Sequence, residues 1–259
     1  MPPEQSQIPP ATADALFALI GLTSTQCDTV LQLISLAENG CTSWWKNYNY
    51  IEALHDGRGY TCTLFGACSG TGDLYQIVQA VQKLDPSHLL VKYLPALKVC
   101  RGDDIHAITG LAKDIPALGT DQVWRQAVWT VYMSMYWAFA SQFAAKTGPC
   151  TQRPGPVLSS AVARGFMLDT AINHGGDMPS FQPILSRMAD AHEPSEKVWL
   201  TDFMLTRKQL LKSGFQDLDT SKSGDRCMLW KALVDSNNMS LARPLTYIKG
   251  YWNGGGIIA

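Results

Sequence analysis

Little in this sequence is out of balance. Its 259 residues carry 21 Lys and Arg against 22 Asp and Glu, a formal net charge of -1. A chain with no surplus of either sign has no global attraction for nucleic acid or for anionic membranes, and neither is expected as a partner. No apolar run preceded by positive charge opens the sequence, so no signal peptide is expected from it. Metal spacings are missing too. The seven Cys (27, 41, 62, 68, 100, 150 and 227) form no CxxC pair and the five His form no HExxH, so no metal is expected. The Gly-rich GACSGTGD at 66–73 lacks the Lys-Ser/Thr of a P-loop, reads as a structural turn, and gives no reason to expect a cofactor. No internal repeat is visible. Residues 1–12 read as a Pro-rich tail outside the fold.

What is present is a globular balance: 46% hydrophobic, 17% charged and 10% aromatic residues. That much apolar surface offsets the chain entropy lost on folding, which excludes a mainly disordered chain. The length suits one two-lobed domain or two small ones. Residues 126–145 carry no charge and are long enough to cross a bilayer. Gln126, Thr130, Ser134, Ser141 and Gln142 interrupt them, so a buried helix is expected instead of a span. An odd Cys count admits three disulfides and a free thiol, as in a secreted protein, or seven reduced thiols. Count alone decides neither.

Helical periods dominate. Residues 24–37 begin at a Ser/Thr cap and place Cys27, Val30, Leu31, Ile34 and Leu36 mainly on one side, and Gly40 ends the run. Residues 73–84 and 120–146 follow, the latter opened by Thr120 and Asp121. Further helices are expected at about 88–98, 157–173, 196–213 and 225–235. One region departs. Between 47 and 66, YNYIEAL and GYTCTLFG flank the turn-former Asp56-Gly57 and predict a small hairpin or sheet. The expected fold is therefore mainly α (α+β), with a small β-sheet in an N-terminal lobe. The helix at about 120–146 would join this lobe to a C-terminal one across a cleft, within one catalytic domain at 13–259.

Residues 38–73 are the densest in chemistry, with four acids (Glu38, Glu52, Asp56, Asp73) and six aromatics. Glu38 falls at the C-terminal end of an apolar helix, where the macrodipole disfavours an anion and suits a proton donor. Asp56 sits in a Gly-flanked turn, more solvated, and should stay ionised. Two carboxylates in contrasting environments are what glycosidic hydrolysis needs. Trp44, Trp45, Tyr48 and Tyr50 would suit sugar faces. An ordinary helix-end Glu, a common Asp-Gly turn and an aromatic core explain the same residues equally well.

The segment reads E-N-x8-Y-x7-D-G-R-G-Y-T-x3-F-G-x6-D, from Glu38 and Asn39 through Tyr48, Asp56, Arg58, Thr61, Phe65 and Gly66 to Asp73. This resembles the chitosanases of glycoside hydrolase family 46. Weaker similarity runs through KYLPALK at 92–98, the region of Asp169 and His174, Arg207-Lys208 and Arg226. The resemblance implies two lysozyme-like helical lobes and an endo-acting, inverting hydrolase of β-1,4 bonds. It makes Glu38 the general acid and Asp56 the general base, with Thr61 holding the attacking water. Asp73 would meet an ammonium group of the substrate, and Asn39, Tyr50, Glu52 and Arg58 would be further contacts. Arg58 reads equally as an ion pair holding the Asp56 turn. Asp169, Arg207 and Arg226 would form a network behind Glu38, with Lys222 competing for the last place, and His174 reads as structural. The expected partners are chitosan and glucosamine oligosaccharides, bound by a secreted, extracellular monomer without metal or cofactor. The rivals are a lysozyme-like muramidase and a catalytically silent sugar-binding protein.

Overall fold

Apolar periodicity becomes helix along most of the chain. A computed structural model describes residues 8–146, 156–188, 195–214, 224–248 and 254–259. In order these form α1 (Pro10–Ile20), α2 (Ser24–Asn39), β1 (Ile51–Ala53), β2 (Tyr60–Cys62), β3 (Ala67–Cys68), α3 (Asp73–Leu84), α4 (Leu94–Val99) and α5 (Leu111–Asp114). There follow α6 (Gln122–Tyr132), α7 (Ala138–Lys146), α8 (Ala161–His174), α9 (Met178–Leu185), α10 (Glu196–Lys212), α11 (Gly224–Asp235), β4 (Leu245–Tyr247) and β5 (Gly256–Ile258). The class is mainly α with small sheets. The chain divides into two compact units, one of 1–15 and 43–134, the other of 16–42 and 135–259.

The first unit holds the three-stranded antiparallel sheet in the order β1-β2-β3, with Glu52 opposite Thr61 and Thr61 opposite Cys68. The expected hairpin is there, but Asp56-Gly57 is not a two-residue turn. Six residues, 54–59, connect β1 to β2, and His55, Gly57 and Gly59 all have positive φ. The unit's core is aromatic. Trp44 and Tyr48 are 1% and 0% exposed, and the Trp124 and Trp129 indoles donate to the Tyr48 backbone oxygen and hydroxyl respectively. Arg125 lies 4.6 Å from the centre of the Tyr48 ring. The expectation that Trp44 and Tyr48 offer faces to a sugar is therefore corrected, because their rings are spent on each other and on α6. Trp45 and Tyr50 are half-buried.

The second unit is built on α2, α8, α10 and α11. Thr23 caps α2, closing a reciprocal capping box with Gln26, and Gly40 ends it in the left-handed region. Gly165 on α8 is required for close approach: a Cβ there would stand 2.7 Å from Val30 and 2.8 Å from Trp230. Around that crossing Phe143, Phe166, Phe181, Trp199 and Phe203 interlock, with ring centres 4.8 Å apart for Phe143–Phe181 and 5.2 Å for Trp199–Phe203. Rings of this size dominate the apolar burial that stabilises such a core.

Several expectations shift on inspection. The helical path over 120–146 runs from Gln122 to Lys146 but passes through a π-helical turn at Met133–Trp137, and the division between the units falls there, after Ser134. The helix at 88–98 is a short 3-10 turn (Val91–Tyr93) followed by α4. The supposed tail is shorter, since α1 starts at Pro10, a residue suited to a first helical turn. Residues 1–7 lie outside the described residues. Among the described residues no single helix is long and apolar enough to cross a membrane. Six cysteines (27, 41, 62, 68, 100 and 227) are free thiols, which sets aside three disulfides; Cys150 lies outside the described residues.

Candidate active site

Glu38 sits one residue before the end of α2, its side chain 26% exposed. Arg226, on the first turn of α11, donates from Nη2 to Glu38 Oε1 at 2.6 Å. The same guanidinium donates to Asp169 on α8, with Nη2 2.8 Å and Nε 3.1 Å from Oδ1. Asp169 takes a second cation, Arg207 of α10, through Nη1 at 2.6 Å. Arg207 also donates to Asn173 Oδ1 at 2.9 Å. Four helices thus bring together Glu38, Arg226, Asp169 and Arg207 as an alternating chain of charge. Its root is dry: the side chains of Asp169 and Arg207 are 0% exposed and that of Arg226 is 3%.

That burial explains the ionisation. Desolvation alone would raise the Asp169 carboxyl, yet Arg226 and Arg207 outweigh it and hold it below the usual carboxylate range. Desolvation likewise opposes charge on Arg226, and Asp169 with Glu38 overcomes it, so the guanidinium keeps its proton. His174, at the end of α8, has no carboxylate strong enough to do the same. Burial first, then Arg207 and Arg226, push it down to about 2, so it is neutral at any working pH. It is a buried residue beside the network, as expected of a structural His. Arg226 fills the place that Lys222 contested; Lys222 lies outside the described residues. Asn39, beside Glu38, donates from Nδ2 to Ser35 Oγ at 3.3 Å.

In the first unit, Asp56 projects from the six-residue loop with its side chain 28% exposed. Arg58 folds back on it: Nε and Nη2 both donate to Oδ2, at 3.0 and 2.5 Å, and the Arg58 backbone N–H donates to Oδ1 at 3.2 Å. These bonds hold the Asp56 carboxyl below its ordinary range. Of the two readings left open for Arg58, the ion pair on the turn is the one this geometry displays. Thr61, on β2, is buried, and its hydroxyl lies 3.6 Å from Cys68 Sγ. Burial pushes the Cys68 thiol up, and it donates to the Gly66 carbonyl at 3.2 Å. Asp73 opens α3, where the macrodipole favours an anion. Its Oδ2 accepts from Thr71 Oγ1 at 2.7 Å. Tyr50 donates to Glu52 Oε2 at 2.8 Å, and burial together with that carboxylate raises its phenol to about 12.

Sequence reasoning missed Asp103. Its two carboxylate oxygens accept the backbone N–H groups of Gly57 and Gly59, at 3.1 and 2.9 Å. No local signal marks it, because RGDD at 101–104 reads as solvated surface. Among the described residues no group of three or more His, Cys, Asp or Glu is placed to hold a metal.

The comparisons agree in direction. The model of glycosyl hydrolase family 46 matches residues 32–245. The chitosanase of Bacillus subtilis (strain 168) is 32% identical over 247 residues, 90% of this chain and 85% of its own length. The crystal structure of native chitosanase from Bacillus subtilis MY002 superposes with a TM-score of 0.78 at 31% identity, covering 92% of this chain and 100% of that one. A mutant chitosanase from the same source, complexed with 6 GlcN, gives 0.77 at 30%, with the same coverage. With helices, sheet and most of the sequence accounted for in this way, the chain belongs to glycosyl hydrolase family 46.

Proposed function

We propose that this enzyme is an endo-acting chitosanase that cleaves β-1,4 bonds between glucosamine-rich units with inversion. The observation that carries the reading is Glu38 tethered through Arg226 to the buried Asp169. An ordinary helix-end Glu has no use for a two-arginine scaffold beneath it. Arg226 grips Oε1, which leaves Oε2 to carry a proton to the glycosidic oxygen. Asp56 supplies the opposite chemistry. Its ion pair with Arg58 keeps it ionised while weakening it as a base, and Oδ1, holding one backbone N–H, has a lone pair left for the proton of an attacking water. The Thr61 hydroxyl steadies that water. With acid and base on separate carboxylates, attack comes from the face opposite the leaving group, and the anomeric carbon inverts.

Substrate choice follows from charge. Glu52, Asp56, Asp73 and Asp103 gather in and around one sheet in the first unit, and an acidic surface concentrates a polycation, most at low salt. Asp73 is our choice for direct contact with an ammonium group, with Asn39, Tyr50 and Glu52 as further contacts. Relatives support the substrate: one solved neighbour is a chitosanase complexed with 6 GlcN. A secreted, extracellular monomer is the form that suits hydrolysis of a polymeric substrate. The test is release of reducing ends from chitosan, chitin and bacterial cell wall. Rapid shortening of chitosan alone is expected. Preferential cleavage of cell wall would establish a muramidase, and no cleavage of any would establish a silent binder.

A further inference from the structure

We infer that Asp103 is a positioning residue that sets the loop carrying Asp56; the inference rests on the reading of Asp56 as the base. The loop has one end that is fixed by packing and one that is not. At Gly59 the backbone is wedged: a Cβ there would lie 2.4 Å from Ser69 Oγ and 3.0 Å from the Gly102 oxygen. Gly70, whose N–H donates to the Arg58 oxygen at 2.9 Å, is tighter still, since a Cβ there would lie 2.3 Å from the Gly102 oxygen. At Gly57 nothing lies within 4 Å of where a Cβ would be. That open arm is where Asp56 sits, between two residues of positive φ, His55 and Gly57.

Packing therefore does not decide where the Asp56 backbone points. The bond from Gly57 N–H to Asp103 Oδ2 does, by extending the rigid Gly59 anchor one step outward. A carboxylate is well suited, since its two oxygens accept both N–H groups at once and charge strengthens each bond. Asp103 is itself held from behind. The Cys100 thiol donates to the Asp104 oxygen at 3.1 Å, and Asp104 N–H donates to the Arg101 oxygen at 3.4 Å, closing the 100–104 turn around Gly102. Water activation needs the base at a fixed distance from the bound water, and a displacement of one ångström is enough to slow such a step about a hundredfold.

Steady-state kinetics on chitosan with Asp103→Ala, Asp103→Asn and Asp104→Asn tests this. Asp103→Ala is expected to lower kcat by about tenfold or more while KM stays within about twofold. Asp103→Asn, with one acceptor oxygen, should fall between it and wild type, and it carries the test if the alanine variant does not fold. Asp104→Asn removes the same charge next door and should match wild type. Hydrogen exchange over 55–60 should quicken in both Asp103 variants. A kcat within about twofold of wild type overturns the inference, and so does a loss confined to KM and shared by Asp104→Asn, which would mark a charge effect on a polycation. Asp56→Asn run alongside separates the two claims. If it has lost turnover while Asp103→Ala has not, only the positioning role falls; if it retains turnover, the base assignment falls first.

Discussion

The two carboxylates are held by opposite means. Glu38 is fixed through its side chain, by Arg226, whose other partner Asp169 is sealed in a helical core together with Arg207. Asp56 is fixed locally, on an exposed loop, by Arg58 folding back on its carboxylate, by glycines in unusual conformations and by N–H groups that donate to Asp103. One site couples chemistry to stability, because its support consists of buried charges whose removal leaves a partner uncompensated. The other separates them, because a solvated loop can lose its carboxylate with little effect on the fold.

The sharpest break in that contrast is Asp169→Ala. It leaves the buried Arg207 without a carboxylate and Arg226 with Glu38 alone, and should cost about 3–5 kcal/mol in chemical denaturation, against less than about 1 kcal/mol for Asp56→Asn. Equal losses for the two would mean the buried network is not what holds its half together. Next come Glu38→Gln and Asp56→Asn, each expected to lower turnover on chitosan at least ~10²-fold while oligomer binding persists. Binding measured by calorimetry beside turnover checks this, and normal turnover in either variant removes that residue from its role.

A smaller effect distinguishes the sites by pH. His174 titrates at about 2 in the fold against 6.5 ordinarily. The unfolded chain takes up that proton as pH falls through about 6.5 and the folded chain does not. Stability should therefore fall on acidification below pH ~6.5, with His174 adding up to ~1.4 kcal/mol per pH unit to the slope. Above that pH the group is neutral in both states and adds no slope. Melting curves from pH 7 to 5 should be flatter for His174→Gln than for wild type; coincident slopes would contradict this. On the Asp56 loop the group held low is the Asp56 carboxylate, whose contribution is lost only as pH falls below the usual carboxylate range. The smallest effect belongs to Asp73→Asn, a rise in KM of about two- to fivefold that shrinks as salt is added, in line with a single solvated charge. An unchanged KM and an unchanged preference for deacetylated polymer would exclude the ammonium contact.

Legibility in the sequence follows the same divide between local and distant. Apolar period and caps are local, so α3 occupies 73–84 as expected and α10 and α11 lie within a residue of expectation at either end. Helix α9 was hidden by Pro179 and Pro183, though the first lies in the turn where Pro is tolerated. The sheet at 51–68 was visible as β-branched and aromatic residues, but the loop's length and its positive-φ residues were not. Fates set by distant partners could not be read. Trp44 and Tyr48 looked like sugar platforms because α6, which covers Tyr48, lies 76 to 81 residues further on. Asp103 lies 46 residues from the glycine it holds. The Asp169, Arg207 and Arg226 network came from family resemblance alone, since nothing in local spacing pairs residues on three separate helices.

The stereochemistry of the first product tests the division of labour between Glu38 and Asp56 most directly. Time-resolved proton NMR of chitosan oligomers during cleavage should show the α-anomer of the new reducing end first, before mutarotation, because water activated by Asp56 attacks from the face opposite the leaving group. Early appearance of the β-anomer would mean retention through a covalent intermediate and would contradict the assignment of Asp56 as a base.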